Sequence, residues 1–213
     1  MLMPLNCLIE LHYLPCIAYF SCLSTAEKLT IEKFEHFEKQ SYRNRCHINT
    51  SQGLERLTIP LTAKRGKAVI TEVRIDYSQK WLNNHLRSIE SAYRNAPYFD
   101  HYFGDYLQCI SKRPEFLYDL NFELLTICLK WLGMEISIAE SVSYETHVPA
   151  DTTDVRNCIH PKKPGIDTNF IPARYHQVFG KDFVVNPSII DVVMCEGPNA
   201  RQIVRASKVT LNK

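Results

Sequence analysis

The polar and apolar positions of the chain change period several times, and each change marks an element. Residues 5–11 (LNCLIEL) read as a short buried strand. His12-Tyr13-Leu14-Pro15 follows as a turn, with Pro15 suited to the first turn of a helix. That helix runs through Ile17, Phe20 and Leu23 and stops near Thr25. Residues 28–34 (KLTIEKF) alternate as a half-buried strand does, which gives a small βαβ-like opening. Three more strands are predicted over 45–50, 54–61 and 68–75. Gln52-Gly53 supplies the turn between the first two, and the basic tip Lys64-Arg65-Gly66-Lys67 separates the last two. The connections are too short for crossovers, so this stretch is expected to be antiparallel.

A period of 3.6 takes over in the middle. Over 80–95, Leu82, Leu86, Ile89 and Tyr93 fall at helical spacing, Ser78 is a candidate cap, and Pro97 ends the run. Two further helices are predicted over 98–111 and 115–132, separated by Pro114. The second is strongly apolar and ends at Gly133. Alternation returns over 135–144. Residues 146–174 read as a long loop, of the kind that often carries function. Helices over 187–195 and 199–206 close the chain, with Glu196-Gly197-Pro198 as the break. The expected fold class is therefore α/β: a mixed sheet with an N-terminal βαβ-like unit, antiparallel strands and a helical middle. One domain is expected over 1–213, with 1–76 mainly strands, 77–134 helical, and 135–213 returning to the main body.

Composition narrows the class of partner. There are 25 basic and 23 acidic residues, a net charge of +2, which gives no electrostatic reason to expect nucleic acid. A local basic cluster can still hold a small anion. The run Leu14–Leu23 is too short to span a bilayer and lacks the flanks of a signal peptide, so a soluble, cytoplasmic protein is expected. The eight cysteines are scattered among apolar neighbours and contain no CxxC pair. That favours buried free thiols and gives no reason to expect a metal.

The densest chemistry lies between Glu32 and His47, where acids, bases, amides and aromatics follow the end of a strand. Ligands of α/β proteins commonly sit there. Glu32 and Glu35 are candidate bases, and Lys39, Arg43, Asn44 and Arg45 are candidate binders of a phosphate or carboxylate. A solvated loop with internally paired charges accounts for the same composition. His12, between a first strand and a first helix, is placed like the first histidine of HxGH nucleotidyltransferases, but the glycine and second histidine are missing. Capping or packing explains His12 as well. Trp81, His85 and Ser88 share one helix stripe, which fits a pocket wall or a packing face. Residues 151–163 combine Asp154, Arg156, His160, Lys162 and Lys163, as a charged lid or an exposed loop would. Tyr175 and Gln177 point the same way in an extended segment. Asp191 lies in an apolar helix, where a carboxylate must be paired or face a cleft. GxSxG, Walker A, HExxH, GxGxxG and EF-hand motifs are all absent.

These stretches together resemble the WbqC-like family. The resemblance is carried by Tyr13-Leu14-Pro15 with Tyr19-Phe20, and by the run Glu32–Ile48 with its core Lys39–Arg45. It continues through Leu57–Pro60, Trp81 with His85, Ile89–Tyr93, Pro97–Phe99, Tyr175–Phe179, Ser188–Asp191 and Glu196–Pro198. Many relatives carry Gln-Pro ahead of Tyr-Leu-Pro-Trp, where this chain has Leu11-His12 and Cys16. The resemblance implies a role in making surface polysaccharide of the O-antigen type. On that basis the expected function is a transferase acting on a sugar or sugar nucleotide, by acyl or aminoacyl transfer to an amino sugar. Glu32, Glu35 and His85 are then the catalytic candidates. Tyr13, Lys39, Arg43, Asn44, Arg45, Tyr175, Gln177 and Asp191 are the binding candidates, and no cofactor is specified. Two alternatives stand beside it. One is a non-catalytic binding or assembly protein. The other is a degenerate nucleotidyltransferase-like protein, which requires a parallel first sheet and an open first-helix N-terminus.

Overall fold

The computed structural model describes residues 6–62, 67–144, 146–161, 170–180 and 182–211. The expected α/β class holds, with one parallel sheet, two small antiparallel ribbons and a helical middle. β1 (Asn6–Ile9) runs into α1 (Ile17–Cys22) and then β2 (Lys28–Ile31), which lies parallel to β1. β5 (Ser137–Glu140) joins the far side of β2, and β6 (Thr152–Asp154) joins the far side of β1, both parallel. The order β5-β2-β1-β6 means that the chain moves outward one way and then returns across β1. Such a reversal opens a crevice at the carboxyl ends of the strands.

The short crossover helix is buried throughout. Its N-terminus is closed, because Ile17 N–H donates to the Pro187 carbonyl and Ala18 N–H donates to Asn186 Oδ1. β3 (Arg45–Thr50) and β4 (Gly53–Thr58) form the expected hairpin, turned at Gly53, whose φ of 99° suits glycine. The predicted strand over 68–75 does not form. Val69 bridges His36 and Ile75 bridges Leu61, and a turn of 3-10 helix (Ile70–Glu72) bends the chain between these two partners. A straight strand could not reach both. The basic tip of Lys64–Lys67 falls almost wholly outside the described residues, as do Lys162 and Lys163.

The three middle helices appear nearly as read: α2 (Trp81–Tyr93), α3 (Phe99–Ser111) and α4 (Leu117–Trp131). α4 buries Leu117, Leu120, Leu124, Cys128 and Trp131 and ends at Gly133 in the left-handed region, where Met134 N–H returns to the Leu129 carbonyl. Ser78 does not cap α2. Its N–H and hydroxyl both donate to Asp76 Oδ1, and Lys80 takes the cap position without a side-chain bond. The 146–174 stretch contains strand β6, which polar Thr152-Thr153-Asp154 does not signal by alternation. β7 (Phe170–Ile171) pairs with β8 (Lys208–Val209).

α5 (Ile189–Glu196) is capped as its sequence suggests. Ser188 Oγ accepts from Ile190 N–H and donates to the Leu14 carbonyl, tying this helix to the turn after β1. Glu196-Gly197-Pro198 then bends the chain into α6 (Ala200–Ala206). Gly197 has φ 55°, and a Cβ there would lie 2.5 Å from the Tyr98 ring. Both the backbone and the close approach demand glycine, which gives the Glu-Gly-Pro signature a structural cause. Gly197→Ala is expected to cost about 2–4 kcal/mol and to lower the thermal midpoint accordingly. A midpoint equal to wild type would show that Tyr98 and the backbone yield freely.

Candidate functional site

The parallel ladder extends one residue beyond the named strands. Glu32 N–H donates to the Ile9 carbonyl, Ser141 N–H to that of Ile31, and Val155 N–H to that of Leu8. Polar side chains therefore line up along the carboxyl edge: Glu10 after β1, Glu32 after β2, Ser141 after β5, and Arg156 and Asn157 after β6. Glu32 is fully buried and acts as the brace of this row. Its Oε1 accepts from Ser141 Oγ (2.8 Å) and Phe34 N–H (2.9 Å), and its Oε2 accepts from Arg156 Nη1 (2.8 Å).

Beyond the edge, Arg43 is 1% exposed and carries its charge into the protein. Its guanidinium grips Glu35 with two bonds, Nε to Oε1 at 2.8 Å and Nη2 to Oε2. Nη2 also donates to Asn157 Oδ1 at 2.8 Å and lies 3.9 Å from Glu10, while Nη1 lies 3.6 Å from Glu38. Asn157 has φ 58°, a left-handed conformation that asparagine tolerates better than most residues. In it, the Asn157 N–H reaches Glu10 Oε2 at 3.0 Å while the side chain faces Arg43. A pocket of about 320 Å³ opens over this cluster, lined by Glu35, His36, Glu38, Arg43, Tyr144, Arg156 and Asn157. The Tyr144 ring covers the Arg156 guanidinium at 4.8 Å. Behind the pocket, His12 Nε2 meets Glu10 Oε1 at 3.0 Å, and His160 stands 3.7 Å from Glu38.

The two inner carboxyls are driven apart. Burial pushes Glu10 up, but the hydrogen bond and charge of His12 and the charge of Arg43 outweigh it and hold Glu10 down at about 2. Burial pushes Glu35 up to about 7, helped by the charges of Glu10 and Glu32 and opposed by Arg43. Burial also lowers the His12 imidazole, against the hydrogen bond and charge of Glu10, which raise it. One carboxylate that stays ionised beside one that exchanges its proton near neutrality is the arrangement acid–base chemistry requires. Five carboxyl groups (Glu10, Glu32, Glu35, Glu38, Asp154) surround two guanidiniums, and Arg156 is itself bound to Glu32 and Asp154. Carboxyls outnumber guanidiniums around the pocket, while its lining holds two of each, Glu35 and Glu38 beside Arg43 and Arg156, which leaves it able to hydrogen-bond an amine or hydroxyl-bearing ligand.

Of the residues singled out in the sequence, Glu32, Glu35 and Arg43 come together here, joined by Asp154, Arg156 and His160 of the charged 151–163 stretch and by His12 behind the pocket. Lys39 is exposed on the turn before Arg43. Asn44 turns away, donating to the Ile59 carbonyl at 2.8 Å. Arg45 opens β3, on the hairpin. Tyr13 and His85 form a separate interior group. Tyr13 Oη lies 2.9 Å from both His85 Nδ1 and Tyr106 Oη, the His85 ring also bonds the Thr58 carbonyl, and burial lowers this imidazole to about 4. Tyr175, Gln177 and Asp191 form a third group. Asp191 Oδ2 accepts from Tyr175 Oη (2.5 Å) and Gln177 Nε2 (3.1 Å), and Oδ1 accepts from Tyr93 Oη (3.0 Å). Arg174, Tyr175 and Gln177 help line a second pocket of about 210 Å³. Glu10, Glu38 and Asn157 were missed as site residues. Glu10 reads as one polar position within an apolar strand, although its place at the end of a first strand was a usable signal. Among the described residues, no group of three His, Cys, Asp or Glu side chains has the geometry to hold a metal ion.

The opposed shifts predict how stability varies with pH. Glu35 has a folded-state value near 7, above its ordinary 4.5, so the native state holds its proton more tightly than the unfolded chain. The stability this supplies declines as pH rises from about 4.5 to about 7. Glu10 works the other way and withdraws stability as pH falls toward about 2. Urea midpoints across this range should show a flatter slope between about pH 4.5 and pH 7 in Glu35→Gln than in wild type. An unchanged slope would assign the titration to another group.

A profile of the WbqC-like protein family matches residues 11–160, a span that contains α1–α4, the parallel sheet beyond β1, and every residue that lines the pocket. The chain is also 31% identical over 141 residues to the uncharacterized protein Rv1507c of Mycobacterium tuberculosis (strain ATCC 25618 / H37Rv). That alignment covers 65% of this chain and 60% of the relative, so the chain spans less than two thirds of the relative's length. No solved structure matches. With most of its length matched by the family profile, this chain belongs to the WbqC-like protein family.

Proposed function

We propose that this protein is a transferase that binds an amino sugar, free or nucleotide-linked, in the pocket at the carboxyl edge of the parallel sheet. We place the reaction in the cytoplasm, within surface polysaccharide synthesis, with an acyl or aminoacyl group passing to the sugar nitrogen. The observation that carries this reading is Glu35, a pocket carboxyl held near neutrality by burial while Glu10 behind it stays ionised. An amine arrives protonated and must lose a proton before its lone pair can attack a carbonyl. Glu35 accepts that proton, the nitrogen–carbon bond forms, and the bond from the carbonyl carbon to the donor's leaving group breaks, the leaving group taking the bonding electron pair and the second nitrogen proton. Arg43 is the positioning residue, since its two-bond grip fixes the Glu35 carboxylate, and Asn157 fixes Arg43 in turn. Tyr144, half-exposed over Arg156, offers an aromatic face for the apolar side of a sugar ring.

A non-catalytic binding protein would use the same pocket, and the polar lining supports either reading. The nucleotidyltransferase-like reading has mixed support. The first sheet is parallel, as that reading needs, but the N-terminus of α1 is occupied by Pro187 and Asn186.

The test is to incubate the protein with nucleotide-linked amino sugars and activated acyl or aminoacyl donors and to follow the acceptor's mass. Turnover should rise with pH through about 7 as Glu35 deprotonates. Glu35→Gln, nearly isosteric, should lose about 10²–10⁴-fold in kcat. Turnover undiminished in Glu35→Gln would sink the base assignment. Saturable binding of an amino sugar without turnover under any donor would favour the non-catalytic reading.

A further inference from the structure

A second cluster lies on the β3–β4 hairpin and takes no part in the pocket. Arg45 and His47 alternate along β3 and share one face, and Arg56 of β4 stands directly opposite His47 in the antiparallel register. Three basic side chains are thereby gathered on one face of a two-stranded ribbon. Arg56 is exposed, while Arg45 and His47 are half-buried. The Arg45 Nε–H is buried without a hydrogen-bond acceptor among the described residues. Burial comes first in depressing both Arg45 and His47. After it come only other cations, Arg56 for Arg45, and Arg56 and Arg45 for His47, with no carboxylate among the causes. Elsewhere in this chain, buried cations are surrounded by acids, as Arg43 and Arg156 are. The hairpin instead holds mutually repelling cations and an unfilled donor, a combination that an anion would relieve.

We propose that Arg45, His47 and Arg56 form an anion site that takes the phosphate or pyrophosphate group of a small phosphorylated ligand. Two guanidiniums across a ribbon offer forked donors matched to phosphate oxygens. The patch is three residues wide and the chain is nearly neutral, so it fits a single phosphate group rather than a nucleic-acid backbone. The site does not depend on the amine-transfer reading, because no residue is shared with the pocket. It is nonetheless linked to it through the interior. The His47 ring meets Tyr42 edge-on at 5.8 Å, and Tyr42 meets His12 at 5.6 Å, directly behind Glu10.

Titration calorimetry with inorganic pyrophosphate, paired with proton NMR of the His47 ring, tests the site. Wild type should bind pyrophosphate, and the His47 resonances should move upward in apparent pKa as the ligand's negative charge offsets Arg45 and Arg56. Arg56→Gln, at an exposed position that folding does not need, should weaken binding by about tenfold or more, as should Arg45→Gln. Glu35→Gln should bind pyrophosphate like wild type, which separates this site from the pocket. Unchanged affinity in Arg56→Gln, or a His47 ring indifferent to pyrophosphate, would overturn the proposal. A short DNA duplex binding far more tightly than pyrophosphate, with a steep salt dependence, would overturn it in favour of nucleic acid.

Discussion

The Arg43 guanidinium is the constraint around which the functional edge of this protein is arranged. A cation that deep in the fold is tolerated only if acids and amides surround it, because its own desolvation is worth several kcal/mol. Glu35, Glu10, Glu38 and Asn157 meet that demand from three different parts of the chain. Asn121 on α4 holds the backbone at this point, donating to the Arg43 carbonyl at 2.7 Å. The carboxyls around it take unequal values for different reasons: burial raises Glu35 against the pull of Arg43, while His12 and Arg43 together hold Glu10 down.

The parallel sheet supplies the other half of the arrangement. Because β1, β2, β5 and β6 run the same way, all four chain exits fall on one edge, and a short polar segment after each can reach its neighbours. Glu32 joins three of those exits through Ser141 and Arg156. Outside the pocket, the Tyr13–His85–Tyr106 group and the Asp191 group join separate elements through polar contacts. Several motif residues that look like chemistry in the sequence thus also hold the packing together, and Tyr175 and Gln177 do so while lining the second pocket.

Much of the fold was legible because it is written in local periodicity. The helices α2, α3 and α4 follow from the spacing of residues such as Ile89 and Leu124, and the β3–β4 hairpin follows from Gly53. β6 was not legible, since Thr152, Thr153 and Asp154 carry no apolar alternation and are recruited by the open edge of β1. Nor was the bend at Ile70–Glu72, which depends on partners at His36 and Leu61. At the site, Glu35 and Arg43 were readable as a dense polar run eight residues apart. Their role was not, because it depends on Glu10 and Asn157, and composition says nothing about which distant carboxylate a buried arginine will meet. Asp191 was readable as a paired or cleft-facing acid, and it is paired.

The bond between Asn157 N–H and Glu10 closes a loop of 147 residues. A contact of that span carries a large entropic cost of closure and a slow search, so the β1–β6 seam belongs among the last parts of the molecule to form. During synthesis on the ribosome, β1, α1 and β2 emerge early with one edge of β1 uncovered, and Arg43 emerges before the Asn157 that completes its shell. The pocket therefore comes into being only when nearly all of the family-matched segment is present. A chain cut short before β6 would hold a half-built sheet and an unsatisfied arginine, and so would be exposed to aggregation rather than merely inactive.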